Sequence, residues 1–212
     1  MIKKRILCYG DSNTWGYVPG TAERYPDGIR WTGVLSRMLG EGYIVLEDGI
    51  NGRTTVYDQD WAVGRNGRRG LDYSLQAQKP LDLVIVMLGT NDLSMVDIRK
   101  VELGIHEIAR VVKNADQIIN VSNPIYRNGP KVLLIAPPPL NANYDELNGT
   151  SGKYAESLRF PEICSRVAAD LGIDYLDGSR YAEVGLIDCH MTEKGHRHLG
   201  EAVAAKVREI LS

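Results

Sequence analysis

Ser12, Asn91 and His190 each sit beside a stretch that reads as the end of a strand or the mouth of a helix, and together they offer a nucleophile, a hydrogen-bond donor and a base. Ser12 lies in Gly10-Asp11-Ser12-Asn13-Thr14-Trp15-Gly16, directly after an apolar run that ends at Tyr9. A serine just beyond the carboxyl end of a central strand stands in the crevice where open α/β sheets bind ligands. Gly10 relieves crowding in the tight turn, and the Ser12 hydroxyl is presented for attack with its own N–H free to donate. The same segment also reads as a plain turn, or as a set of N–H groups holding a phosphate at a helix N-terminus. It has neither the lysine of a P-loop nor the glycine spacing of a dinucleotide site. Gly89-Thr90-Asn91-Asp92 closes another apolar run and brings the Asn91 carboxamide to the same rim; alone, Asn91 reads as an Asx-turn residue. A side-chain amide and two backbone N–H groups converging on one point form an oxyanion hole for acyl transfer. In Asp48-Gly49-Ile50-Asn51-Gly52-Arg53, a glycine at position 52 lets its N–H approach a ligand closely, although Asn51-Gly52 by itself is more often a simple turn. Asp188-Cys189-His190-Met191-Thr192 leads into the last helical stretch, with Thr192 as N-cap and Glu193 suited to the helix N-terminus. That holds His190 at the rim, where a neutral imidazole accepts a serine proton and a neighbouring carboxylate fixes its tautomer. His106, His196 and His198 fall on helical segments and read as exposed, solvated side chains.

These residues need a scaffold, and the hydrophobic pattern supplies one. Apolar runs at residues 5–9, 43–47, 82–88, 131–136 and 173–176 have strand length. They alternate with amphipathic stretches at 31–39, 96–114, 154–171 and 192–211, which predicts an α/β domain with a parallel sheet covered by helices on both faces. In the last stretch Leu199, Val203, Val207 and Ile210 line one helical face. Residues 17–30, 53–80 and 137–153 are rich in Gly, Pro, Asn and charge and read as long loops walling a pocket. Trp15, Tyr57, Trp61 and Pro138, with Asp11, are the candidate pocket residues, although packing that merely fixes the loops explains the aromatics and prolines as well.

Composition narrows the function classes. The 212 residues, with no repeat and no interdomain linker, fit one domain spanning 1–212. With 25 Lys and Arg against 27 Asp and Glu, the net charge of -2 gives no electrostatic grip on nucleic acid or anionic lipid, so a small-molecule partner is expected. At 43% hydrophobic and 25% charged, the chain is neither disordered nor fibrous, and no apolar run is long enough to span a membrane. The basic start Met1-Ile2-Lys3-Lys4-Arg5 is followed by too short an apolar stretch for export, and the scattered Cys8, Cys164 and Cys189 suit a reducing compartment, so a cytoplasmic location is expected.

The four blocks, in this order, closely resemble the SGNH (GDSL-type) hydrolase family over nearly the whole chain. The four residues that name the family fall on Ser12, Gly52, Asn91 and His190. The resemblance implies a serine esterase on a flavodoxin-like three-layer α/β/α fold, its five-stranded parallel sheet of order 2-1-3-4-5, with the N–H groups of Ser12 and Gly52 and the Asn91 amide as oxyanion hole and no metal or organic cofactor. The segments ILCYGDSNTWGY, RWTGVLSRMLG, DGINGRTT and DLVIVMLGTND look like the arylesterase and acyltransferase branch. That branch cleaves small acyl esters, in some members passes the acyl group to an alcohol, and tends to form homo-oligomers. A carbohydrate O-acetyl esterase is the alternative within hydrolases, and a non-catalytic binder of a phosphorylated ligand the alternative outside them. One departure stands out: the family's last block is usually Asp-x-x-His, whereas Ile187 occupies the position three before His190. Asp188, two before, is expected to serve as the triad acid; Asp177 is a second candidate with a more structural reading.

Overall fold

The computed structural model describes residues 2–119, 122–186 and 188–212; the Ile187 position of the atypical histidine block lies outside them. In chain order the elements are β1 (Lys4–Gly10), α1 (Ser12–Trp15), α2 (Trp31–Leu39), β2 (Tyr43–Gly49), α3 (Gly67–Gln78), β3 (Leu83–Met87), α4 (Ile98–Lys113), α5 (Ala115–Ile118), β4 (Val132–Ala136), α6 (Tyr144–Asn148), α7 (Lys153–Ser157), α8 (Phe160–Leu171), β5 (Asp174–Asp177) and α9 (Glu193–Leu211). The strands form one sheet, all neighbours parallel, in the order β2-β1-β3-β4-β5. This is the expected flavodoxin-like arrangement.

Strands buried on both faces need apolar side chains at consecutive positions. Alternate residues of β1, β3 and β4 accordingly feed two cores. Leu7, Tyr9, Val84, Val86 and Leu134 join residues of α3, α4 and α8 on one face. Ile6, Cys8, Leu83, Ile85 and Leu133 join Trp31 and Leu35 of α2 and Leu199, Val203 and Val207 of α9 on the other. Burying one such aliphatic side chain stabilises the fold by about 1.5–3 kcal/mol before entropy is subtracted.

Register then aligns the strand ends that carry the motifs. Gly10 pairs with Gly49 on one side and Met87 on the other. Ser12, Gly52 and Asn91 therefore leave the sheet from three adjacent strands at one level. The helix α1 lies directly on the end of β2: a Cβ at Gly49 would stand 2.2 Å from the Trp15 amide nitrogen, so only glycine admits this approach.

Three sequence expectations require correction. The stretch 53–80 is not all loop, because α3 occupies its second half. Its pattern is faint: Leu71 and Leu75 are its buried side chains larger than glycine, and Asn66 caps it by accepting the Arg69 N–H at 3.2 Å. The stretch 154–171 is two helices, α7 and α8, with Pro161 restarting the second in its first turn, where a missing N–H costs nothing. Residues 137–153 likewise contain α6.

Candidate active site

The first turn after β1 places Ser12 by capping. The Asp11 side chain accepts the Asn13 N–H at 2.9 Å and starts α1 at Ser12, leaving the Ser12 N–H without an intrahelical partner. Ser12 is 5% exposed. Its Oγ lies 3.0 Å from His190 Nε2. His190 is held just before α9, whose N-cap Thr192 accepts the Gly195 N–H at 3.1 Å.

Asp188 reaches the other side of the imidazole despite its shortened spacing. Its Oδ1 accepts the His190 backbone N–H at 2.9 Å, closing a tight turn, and its Oδ2 stands 3.1 Å from His190 Nδ1. The approach to Nδ1 is close but lies off the line of a formed hydrogen bond. The Gly20 N–H also donates to Oδ2, at 3.0 Å. Partial burial works against the Asp188 charge, but the His190 ring and N–H and the Gly20 N–H outweigh it and hold the carboxyl below its ordinary range. The Tyr17 ring stacks on the imidazole at 4.2 Å. Asp177, the second candidate acid, instead caps the turn after β5, accepting the Ser179 N–H at 3.1 Å.

Gly52 has a φ of +76°, which L side chains avoid, and a Cβ there would meet the Arg65 guanidinium at 2.8 Å. Among the described residues, neither the Gly52 nor the Ser12 N–H donates to another protein group. The Asn91 carboxamide donates to the Arg53 carbonyl at 3.0 Å and, over a longer 3.4 Å, to Asp11 Oδ2, the bond that an oxyanion would replace. Arg53 itself is 2% exposed and braces the strand ends. Its guanidinium donates to the Gly10 carbonyl at 2.9 Å and the Asp48 carboxylate at 2.7 Å, over the Tyr9 ring at 4.0 Å. Two free backbone donors and a braced carboxamide suit stabilisation of developing negative charge.

The pocket candidates are dispersed. Asp11, expected at the wall, is 2% exposed and lies beneath the site as the cap of α1. Trp15 carries the Arg24 guanidinium over its ring at 5.2 Å, Tyr57 is tied to α4 by a hydroxyl hydrogen bond to the Lys100 carbonyl at 2.8 Å, and Pro138 is buried. Trp61 is 75% exposed. His196 also departs from expectation: it is buried rather than solvated, because it lies one turn before Leu199 on the face of α9 that packs against α2. Its Nδ1 accepts the Trp31 N–H at 3.3 Å, and burial, with the Arg30 and His190 charges, depresses its pKa to about 3.

Arg53, Tyr17 and Gly20 were not legible as site residues, because each acts through a contact between segments remote in sequence. Asp92, the neighbour of Asn91, was equally silent. It is fully buried, with both oxygens accepting the Thr55 N–H at 3.0 Å and a further bond from the Thr55 hydroxyl. Burial raises its carboxyl to about 7, against the Thr55 hydrogen bonds and with help from the Asp11 charge. A carboxyl whose pKa is raised on folding binds its proton more tightly in the native state. Its contribution to stability therefore falls as pH rises from about 4 to about 7. His196 titrates with the opposite sign over about pH 3 to 6.5, so the clean observable is a difference between two proteins. In urea titrations, wild type is expected to lose stability relative to Asp92→Asn as pH rises from 4 to 7. A difference that is flat across that window would show that Asp92 ionises at its ordinary pKa.

The sequence profile of the GDSL-like lipase/acylhydrolase family matches residues 8–198. Among solved structures, the chain is similar to the native aryl esterase of M. smegmatis, with 34% identity and a TM-score of 0.88 over 98% of this chain and 99% of that one. It is similar to a carbohydrate acetylesterase from Sinorhizobium meliloti at 32% identity, with the same TM-score and the same coverage of both chains. No match was found among curated proteins. The profile covers most of the chain, and these similarities extend over nearly all of it; the chain belongs to the GDSL-like lipase/acylhydrolase family, whose SGNH-type fold it shares.

Proposed function

We infer that the protein is a serine esterase acting on small acyl esters, acetyl esters foremost. The observation that carries this reading is the 3.0 Å contact between Ser12 Oγ and His190 Nε2, with the Asp188 carboxylate on the far side of the ring. Family membership and the aryl esterase and carbohydrate acetylesterase relatives support it.

In this mechanism His190 takes the Ser12 proton as Oγ attacks the ester carbonyl carbon. The carbonyl π electrons move to oxygen, and the N–H groups of Ser12 and Gly52 with the Asn91 amide stabilise the resulting oxyanion. Collapse breaks the bond to the leaving oxygen, which receives the proton from His190, and an acyl-Ser12 enzyme remains. Water, deprotonated by the same imidazole, then attacks the acyl carbon; the bond to Ser12 Oγ breaks, Oγ takes the proton back from His190, and the acid leaves with Ser12 and His190 restored. An alcohol in place of water makes the reaction an acyl transfer.

Steady-state rates on phenyl acetate and on O-acetylated sugars test the substrate class. Rapid aryl acetate turnover, with acetylated sugars slower in kcat/KM, is the expected result. The reverse order moves the reading to a carbohydrate O-acetyl esterase. Product analysis with added ethanol separates transfer from hydrolysis, since transfer yields ethyl acetate.

A further inference from the structure

The residue next to Ser12 touches neither ester nor proton in this mechanism, yet it joins the two halves of the site. Asn13 is 2% exposed. Its backbone N–H is fixed by Asp11 at 2.9 Å. Its side chain crosses to the loop that carries His190: Nδ2 donates to the Cys189 carbonyl at 3.2 Å, and Oδ1 accepts the Met191 N–H at 2.9 Å. One carboxamide thus grips the peptide groups on both sides of His190. Among the described residues, these are the only hydrogen bonds between α1 and residues 183–192 apart from that of Ser12 to His190.

We propose that Asn13 is the positioning residue that sets the Ser12–His190 separation, by clamping the backbone on either side of His190 to the turn that holds Ser12. The proposal rests on Ser12 as nucleophile and His190 as base. The two residues are 178 positions apart in sequence, so their contact depends on how the His190 loop docks. Other contacts also act on that loop: the Gly185 N–H donates to the His190 carbonyl at 2.8 Å, Asp188 closes its own turn and accepts the Gly20 N–H at 3.0 Å, and the Tyr17 ring stacks on the imidazole. None of these bonds the backbone on either side of His190 to α1. The shortened Asp-Cys-His block makes the clamp more consequential, because Asp188 faces the imidazole only while the turn keeps its shape. An asparagine suits the task because its amide offers a donor and an acceptor side by side, as the Cys189 carbonyl and the Met191 N–H require. Leucine or alanine would leave both backbone groups unpaired, the Met191 N–H in a buried setting.

A displacement of about 1 Å in a catalytic group costs about a hundredfold in rate. Gly52 and Asn91 leave the sheet from β2 and β3 and do not bond to Asn13, so substrate binding is expected to persist. The test compares kcat and KM for p-nitrophenyl acetate in wild type, Asn13→Ala, Asn13→Asp, His190→Ala and the double variant Asn13→Ala/His190→Ala, with folding checked by circular dichroism. Asn13→Ala is expected to lower kcat about a hundredfold with KM nearly unchanged. Asn13→Asp is isosteric and keeps the acceptor for Met191, but it sets a carboxylate against the Cys189 carbonyl; it should lower kcat about tenfold or more and carries the test if the alanine variant does not fold. In the His190→Ala background the Asn13 substitution should cost almost nothing further, since no imidazole remains to be placed. A folded Asn13→Asp with wild-type kcat overturns the proposal, and so does an Asn13→Ala loss of equal size with and without His190. If His190→Ala itself turns over at the wild-type rate, the reading of the site has failed and the proposal falls with it.

Discussion

Ser12→Ala is expected to reduce p-nitrophenyl acetate turnover by about 10⁴- to 10⁶-fold, approaching the roughly 10⁶-fold loss measured when the nucleophile of one serine protease is removed. Nothing nearby replaces it. Thr14 has a buried hydroxyl without a partner among the described residues, and Cys189, the nearest thiol in sequence to His190, is pushed up to about 12 by burial, with the Asp11 and Asp188 charges adding to the rise. The thiol is therefore protonated at working pH and a poor nucleophile. The fold should survive, because the hydroxyl makes no bond other than that to His190 among the described residues and α1 is started by Asp11. A melting temperature within a few degrees of wild type, alongside lost turnover, separates chemistry from unfolding. A folded variant keeping more than about a tenth of the rate would remove Ser12 from the mechanism, since loss of the nucleophile acts on the step itself.

The second large effect concerns the displaced acid. Asp188→Asn is expected to lower kcat by about 10² to 10⁴, the upper figure being that of a serine protease triad whose acid loses its charge. The physical reason is the tautomer. A carboxylate beside Nδ1 favours the proton there and leaves Nε2 free to accept from Ser12; an asparagine NH₂ facing Nδ1 favours the opposite tautomer, which cannot act as base. The lower end of the range reflects geometry, because Asp188 is 24% exposed and its approach to Nδ1 is off-line, so water can replace part of its effect. If the substitution changes kcat less than about tenfold, His190 works without that acid and the shortened turn has no catalytic purpose.

The contrast between β3 and α3 shows how much of this was legible in the residues. Strand β3 is a run of consecutive apolar residues, as burial on both faces demands, and the sheet with its motif-bearing ends follows from such runs. Helix α3 has two leucines on one face and arginines and glycines elsewhere, so its burial signal is too thin to separate it from a loop. Ser12, Gly52, Asn91 and His190 stood out only together: alone, Asn91 and Gly52 read as turn residues, and it is the four blocks in order, each beside a recognisable element, that resemble one family. Asp188 carried no such assurance, because only the folded turn shows that a carboxylate two residues before His190 comes within 3.1 Å of its ring. Asn13 and Arg53 were silent for a deeper reason. Their side chains bond backbone groups, Cys189 and Met191 in one case and Gly10 in the other, and a carbonyl or an N–H has no identity that a sequence can display.

The central claim is that Ser12 is a nucleophile activated by His190, and intact-mass analysis after exposure to an aryl fluorophosphonate tests it most directly. Wild type should gain the mass of one phosphonyl group, Ser12→Ala none, and His190→Ala the same adduct far more slowly. A single adduct on Ser12→Ala as readily as on wild type, or folded wild type that stays unlabelled and releases no p-nitrophenol from its acetate, would contradict it.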